Sequence, residues 1–136
     1  MIAVFGSKGN MMRLAFIGGM AWALLAGSAY AQESYSKQYI QCSNHAYGQT
    51  SVLQKCVNKE LQQQQKRLKK SYKSYYQASG MHQANIAQQH ALWEQRLKQQ
   101  CYGGMNGDVA KLQQSRCTLA QVIDQANYYQ SKFIAR

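Results

Sequence analysis

Four cysteines, Cys42, Cys56, Cys101 and Cys117, carry the clearest chemistry in this 136-residue chain. An even cysteine count in a short chain, all of it after a candidate export signal, predicts two disulfides and an oxidising compartment. His45 follows Cys42 by three residues. The other cysteines are distant, and His82 and His90 have no ligand-like spacing to that pair, so no metal is expected. The five carboxylates, Glu33, Glu60, Glu94, Asp108 and Asp124, are scattered. No two are spaced for acid–base work on a sugar. No Ser-His-Asp arrangement can be argued, and neither G-x-G-x-x-G nor G-x-x-x-x-G-K-[ST] occurs. The chain reads as a non-enzyme without catalytic residues or cofactors.

Charge is the second signal. Sixteen Lys and Arg face five Asp and Glu, a formal +11. Residues 1–31 hold Lys8, Arg13 and no acid, so the remainder carries 14 − 5 = +9. Lys55, Lys59, Lys66, Lys70 and Lys73 fall within about 60° of one another on a helical projection, opposite Val57 and Leu68. Lys69 stands at the edge of that cluster. Eighteen residues of helical rise make this ridge about 27 Å long. A solvated outer face accounts for its polarity but not for its lack of acids. The ridge is a candidate anion-binding surface for an envelope polymer or phosphates. Nucleic acid would suit the charge but not an exported protein.

Three helices must position these groups. The chain has no proline, which favours long helices. Ser51-Val52-Leu53-Gln54 matches a capping box. Leu53, Val57, Leu61, Leu68, Tyr72 and Tyr75 then repeat at helical spacing, with Gln64 filling a gap, to about residue 77 before Gly80. A second helix spans about 82–101. Its row Ile86, His90, Trp93, Leu97 and Cys101 makes Trp93 the large apolar anchor around which the rest should pack. Tyr102, Gly103, Gly104, Met105, Asn106 and Gly107 form a loop. Asp108 is a natural N-cap for a third helix over about 108–134, whose seam is Leu112, Leu119, Val122, Ala126, Tyr129 and Phe133.

The expectation is an all-α fold: a small antiparallel three-helix bundle with an irregular N-terminal arm, stapled by two disulfides. Four cysteines allow three pairings. Helical rise sets Cys56 level with Cys101, and Cys117 points away from its seam toward the arm. Height therefore favours Cys56–Cys101 with Cys42–Cys117, although the sequence leaves the choice open.

The first 31 residues read as a cleaved signal peptide. Lys8 and Arg13 precede an apolar stretch from Leu14 to Ala26, and Ala29-Tyr30-Ala31 is an A-x-A site that starts the mature domain at Gln32. Met11 or Met12, as the true start, would leave a signal of ordinary length. The apolar run is shorter than the roughly 20 residues of a spanning helix, so no transmembrane segment is expected after cleavage. The domain, 32–136, would be periplasmic or secreted.

With these features the chain resembles the LprI-type lysozyme inhibitors, a family of exported bacterial helical domains. Trp93, Cys101, Gly103, Gly104 and Cys117 match its Trp…Cys-x-Gly-Gly…Cys pattern, and Leu68 and Tyr72 match its Leu-Asn-x-x-Tyr. The likeness spans about Cys42 to Phe133. Leu97 stands where the family commonly has Arg, Lys69 replaces the Asn, and Val122 and Gln125 replace a Thr-x-x-Arg. The retained positions, including Leu68, Tyr72 and Trp93, are those of a scaffold. The resemblance implies a lysozyme-like glycan hydrolase as partner, blocked by protein–protein contact, with the 102–107 loop as the candidate inhibitory element. Animal lysozymes are themselves cationic, and like charge slows association. The +9 charge suits an acidic hydrolase or an anionic envelope polymer better.

Overall fold

The computed structural model describes residues 34–104 and 106–134. The expected signal peptide, 1–31, lies outside them. The described residues contain four α-helices and no strand: α1 (Lys37–Asn44), α2 (Thr50–Ala78), α3 (Gln83–Cys101) and α4 (Asp108–Ile134). A 3₁₀ turn, Gly80–His82, joins α2 to α3.

The three long helices lie close to their expected bounds, and the all-α, two-disulfide bundle is what the periodicity predicts. The arm differs, because α1 is helical rather than irregular. Ser36 caps it, its side chain accepting from the Tyr39 amide. Eight residues with none buried give too little periodicity to read. The capping box does not form either. Gln49 occupies the N-cap of α2, and Gln54 instead donates to Asn58 Oδ1 and to Ser115 Oγ of α4.

Contacts fix the helix directions. Gln54 meets Ser115 and Arg67 meets Asn127, so α2 and α4 run parallel. Helix α3 returns between their ends, antiparallel to both. Helix α1 folds back along α2, since Ser36 reaches Glu60 while Cys42 meets Cys56. Starting from one end, Val57, Leu112, Leu119 and Ile123 pack together with Leu53 and Tyr39 against them. At the other end Leu68, Trp93, Val122, Ala126 and Tyr129 form a second cluster, flanked by Leu61, Tyr72, Tyr75 and Leu97.

The disulfide pairs are Cys42–Cys56 and Cys101–Cys117, not Cys56–Cys101 and Cys42–Cys117. Height along the bundle does not discriminate between them. The Gln54–Ser115 contact sets Cys56 and Cys117 at nearly one level, and each partner's Cα lies within 6 Å of its own, at 5.8 and 5.5 Å. All four cysteines share that level, so hairpin membership decides. Each bridge closes one helical hairpin, α1–α2 or α3–α4.

A polar chain fills the gap that Gln64 leaves in the apolar row. Gln64 Nε2 donates to Glu60 Oε1 at 2.8 Å, and Arg67 Nε donates to Gln64 Oε1 at 2.7 Å. Arg67 Nη1 continues to Asn127 and Gln130 of α4. Glu60, only 2% exposed, also accepts from the Ser36 amide and hydroxyl. Burial alone would raise its carboxyl. The hydrogen bonds from Ser36 and Gln64, together with the Arg67 charge, outweigh that and hold it below the ordinary value.

Candidate functional site

Because α2 and α4 are parallel, both stapled hairpins turn at the same end of the bundle. Cys117 lies nine residues into α4, about 14 Å from Asp108 along the axis. The disulfide holds the end of α3 beside it. The first turns of α4 therefore project past α3, and the 102–107 loop runs out along them. Gly104 and Gly107 take φ of 50° and 106°, a region in which a side chain would be strained. Tyr102 is 56% exposed at the root of this tip, and Val109 is exposed beyond it. Asp108 is not the N-cap expected of it: Gly107 holds that position, its carbonyl accepting from the Lys111 amide, and Asp108 is an acid in the first turn, at the positive end of the helix. Met105 lies outside the described residues.

The other stapled turn escaped the sequence reading. Tyr47 has φ 44°, the left-handed region that a bulky residue rarely adopts, and its side chain is 84% exposed. Gly48 follows at φ 78°. The sequence signal was the Tyr47-Gly48 pair between the first two cysteines. An aromatic held out to solvent by a strained turn is a poor choice for stability alone. Tyr47 and Tyr102 thus mark the same end of the molecule.

The scaffold residues lie together. Trp93 and Leu68 are buried in one cluster, and Tyr72 packs against it. Tyr72 stacks on the His90 ring at 4.2 Å between centroids, and His90 stacks on Trp93 at 5.5 Å. His90 Nδ1 lies 2.9 Å from the Tyr129 hydroxyl and Nε2 lies 3.6 Å from Glu94. The tautomer that satisfies both contacts keeps its proton on Nε2 and accepts from Tyr129. Burial lowers the His90 pKa against the pull of Glu94, and burial pushes the Tyr129 hydroxyl up to about 12. This aromatic group is a core, placed at the end without disulfides.

Lys55, Lys59, Lys66, Lys70 and Lys73 are all exposed, on the face of α2 opposite Val57 and Leu68. None has an ion-pair partner among the described residues. The described carboxylates lie elsewhere: Glu60 in the buried polar chain, Glu94 on α3, Asp108 and Asp124 on α4. Lys59 also borders a cleft of about 60 Å³ between α1 and α2, room for little more than water. His45 bonds to Gln41 O through Nδ1, while Cys42 is committed to its disulfide.

No curated protein and no solved structure matches the chain. A family model does: that of the lysozyme inhibitor LprI, over residues 42–128. The matched span begins at the first bridged cysteine and takes in both hairpin turns, the Trp93 cluster except Tyr129, and most of α4. The chain belongs to the lysozyme inhibitor LprI family.

Proposed function

We propose that this chain is an exported bacterial protein that blocks a lysozyme-like glycan hydrolase by protein–protein contact, with the stapled end as the docking element. The observation that carries this reading is the 102–107 loop, tied at its root by Cys101–Cys117 and presenting Tyr102 to solvent. A loop fixed before binding loses less conformational entropy on docking. A tyrosine offers large, stiff contact area of the kind that dominates interfaces. A projecting tip suits a cleft, and glycosidase clefts carry a pair of carboxylates. Lys98 and Lys111, both exposed at the root of the tip, supply charge complementary to such a cleft. Two disulfides support an oxidising compartment, in keeping with the signal expected over 1–31.

The experiment is inhibition of a panel of lysozymes of differing net charge by the disulfide-bonded protein. Acidic members should be inhibited more strongly than cationic ones, with the gap narrowing as salt screens the repulsion. Tyr102→Ala should weaken inhibition at least about tenfold, the loss expected of an interface anchor. Full inhibition by the Tyr102 variant would refute the loop as the docking element. No inhibition of any member would refute the inhibitor reading itself.

A further inference from the structure

The docking proposed for the stapled end makes no use of the ridge on α2. We infer that it is a second binding surface, for a linear phosphate polymer laid along the helix.

Its arrangement opposes the stability of the helix that carries it. Lys55–Lys59 and Lys66–Lys70 are four apart and Lys70–Lys73 three apart, so each pair repels across one turn. Acids at neighbouring positions would relieve this, as on an ordinary solvated face. The one acid in α2, Glu60, is instead buried and consumed by Ser36 and Gln64. Between the lysines the outer face offers Gln62 and Gln63, and beyond them Gln77, neutral hydrogen-bonding groups that leave the positive field intact.

The residue type selects the anion. The ridge is built from lysine alone, a compact point charge suited to phosphate, whereas planar carboxylates are matched by the fork of arginine. Arg67, the one arginine in α2, points to the other side and is held by Gln64, Asn127 and Gln130.

The shape selects the polymer. Five lysines spread over about 27 Å lie roughly in single file, about 7 Å apart on average along the axis. A row one side chain wide fits a chain of charges better than a membrane plane. Membrane-surface helices also set apolar side chains beside their lysines. The large exposed apolar residues here, among them Ile40, Tyr47, Met81, Leu92, Tyr102 and Val109, all lie off α2.

The test uses the disulfide-bonded protein and inorganic polyphosphate at about 50 mM salt. The variant Lys59→Gln, Lys66→Gln, Lys70→Gln, Lys73→Gln should bind at least about tenfold more weakly. It should also flatten the slope of log K against log salt by about 3, from about 0.7 per neutralised phosphate on a single strand. A control with the same charge removed elsewhere, Arg96→Gln, Lys98→Gln, Lys111→Gln, Lys132→Gln, should lose under about threefold. Should the ridge variant fail to fold by circular dichroism, Lys66→Gln with Lys70→Gln serves in its place, with a loss of at least about threefold. Equal losses in ridge variant and control would reduce the effect to net charge and overturn the proposal. So would absence of binding, or tighter binding to polygalacturonate or to phosphatidylglycerol vesicles than to polyphosphate. Hydrolase inhibition by the ridge variant should persist, which separates this surface from the stapled end.

Discussion

Replacing Trp93 with alanine tests how α3 is held. Helix α3 buries three residues, Ile86, Trp93 and Cys101, and Cys101 is attached covalently at the far end. Trp93 is 8% exposed and packs on Leu68 of α2 and on Val122, Ala126 and Tyr129 of α4, so it joins all three long helices. A buried aromatic removes roughly 200 Å² from water, about 5 kcal/mol at about 25 cal/mol per Å². Residual burial in the unfolded chain lowers that figure, and the cavity left behind raises it. The expected loss is about 3–5 kcal/mol. Against a total of about 5–15 kcal/mol this is a large fraction. At about 4–8 °C per kcal/mol for a domain near 100 residues, Tm should fall by about 12–40 °C. Denaturant titration followed by far-UV circular dichroism, with disulfides intact, gives the magnitude. Hydrogen exchange should locate the loss in the Gln83–Trp93 half of α3, because Cys101–Cys117 still holds the other end. A loss under about 1 kcal/mol, small for a large buried side chain, would refute the placement of Trp93 as the joint.

Acid should destabilise the protein in two stages. His90 has its pKa lowered from 6.5 in the folded state, so the unfolded chain takes up protons first and stability begins to fall as pH drops below about 6.5. Glu60 is lowered from 4.5, so its contribution is complete above that value and is lost as pH falls through the folded pKa. Tm measured against pH should show both limbs, and Glu60→Gln should flatten the lower one. Cys101→Ser with Cys117→Ser opens a 16-residue separation and should cost about 3 kcal/mol by chain entropy. Well below its Tm this variant should still be helical yet inhibit poorly, and full inhibition would separate the loop's action from its staple. Tyr47→Asn places a residue that tolerates the left-handed region at φ 44° and should raise stability by about 0.5–1 kcal/mol, with the gain read from the denaturant midpoint.

What was legible in the sequence follows from the length over which a pattern repeats. Helices α2, α3 and α4 each repeat their apolar spacing for about four turns or more, and Trp93, Leu68 and Tyr129 could be read from that spacing. Helix α1 has eight residues and buries none, so it showed nothing but the serine before it. The polar chain through Glu60, Gln64 and Arg67 was invisible for a different reason. Gln64 shows only as a gap in the apolar row, Glu60 and Arg67 read alone as surface residues, and only the return of α1 and the parallel α4 bring their partners. The disulfide pairing failed for a third reason: Cys42, Cys56, Cys101 and Cys117 share one level, so height leaves the pairings equal, and the direction assigned to Cys117, away from its seam and toward the arm, was wrong because the end of α3 lies on that side. Tyr47 is a case of backbone geometry: the Tyr47-Gly48 pair signals a turn, but no side-chain pattern announces that the tyrosine itself takes the positive φ.

The two ends of the bundle are held by different means, and the difference bears on function. At the Gly80 end Tyr72, Tyr75, His90, Trp93 and Tyr129 interlock, and aromatic packing is stable only while every ring keeps its place. At the Thr50 end the cluster of Val57, Leu112, Leu119 and Ile123 is made of smaller side chains, and both disulfides sit there. That end carries a strained tyrosine and a loop with two left-handed glycines, features that cost stability where they stand. The lysine row on α2 adds repulsion along the helix that both ends share. Covalent closure of each hairpin limits what the unfolded chain gains by releasing these segments. It lets the chain keep exposed aromatics and uncompensated charge outside a core of modest size. The bridges thus stand where a contact surface would need them rather than where the core is richest.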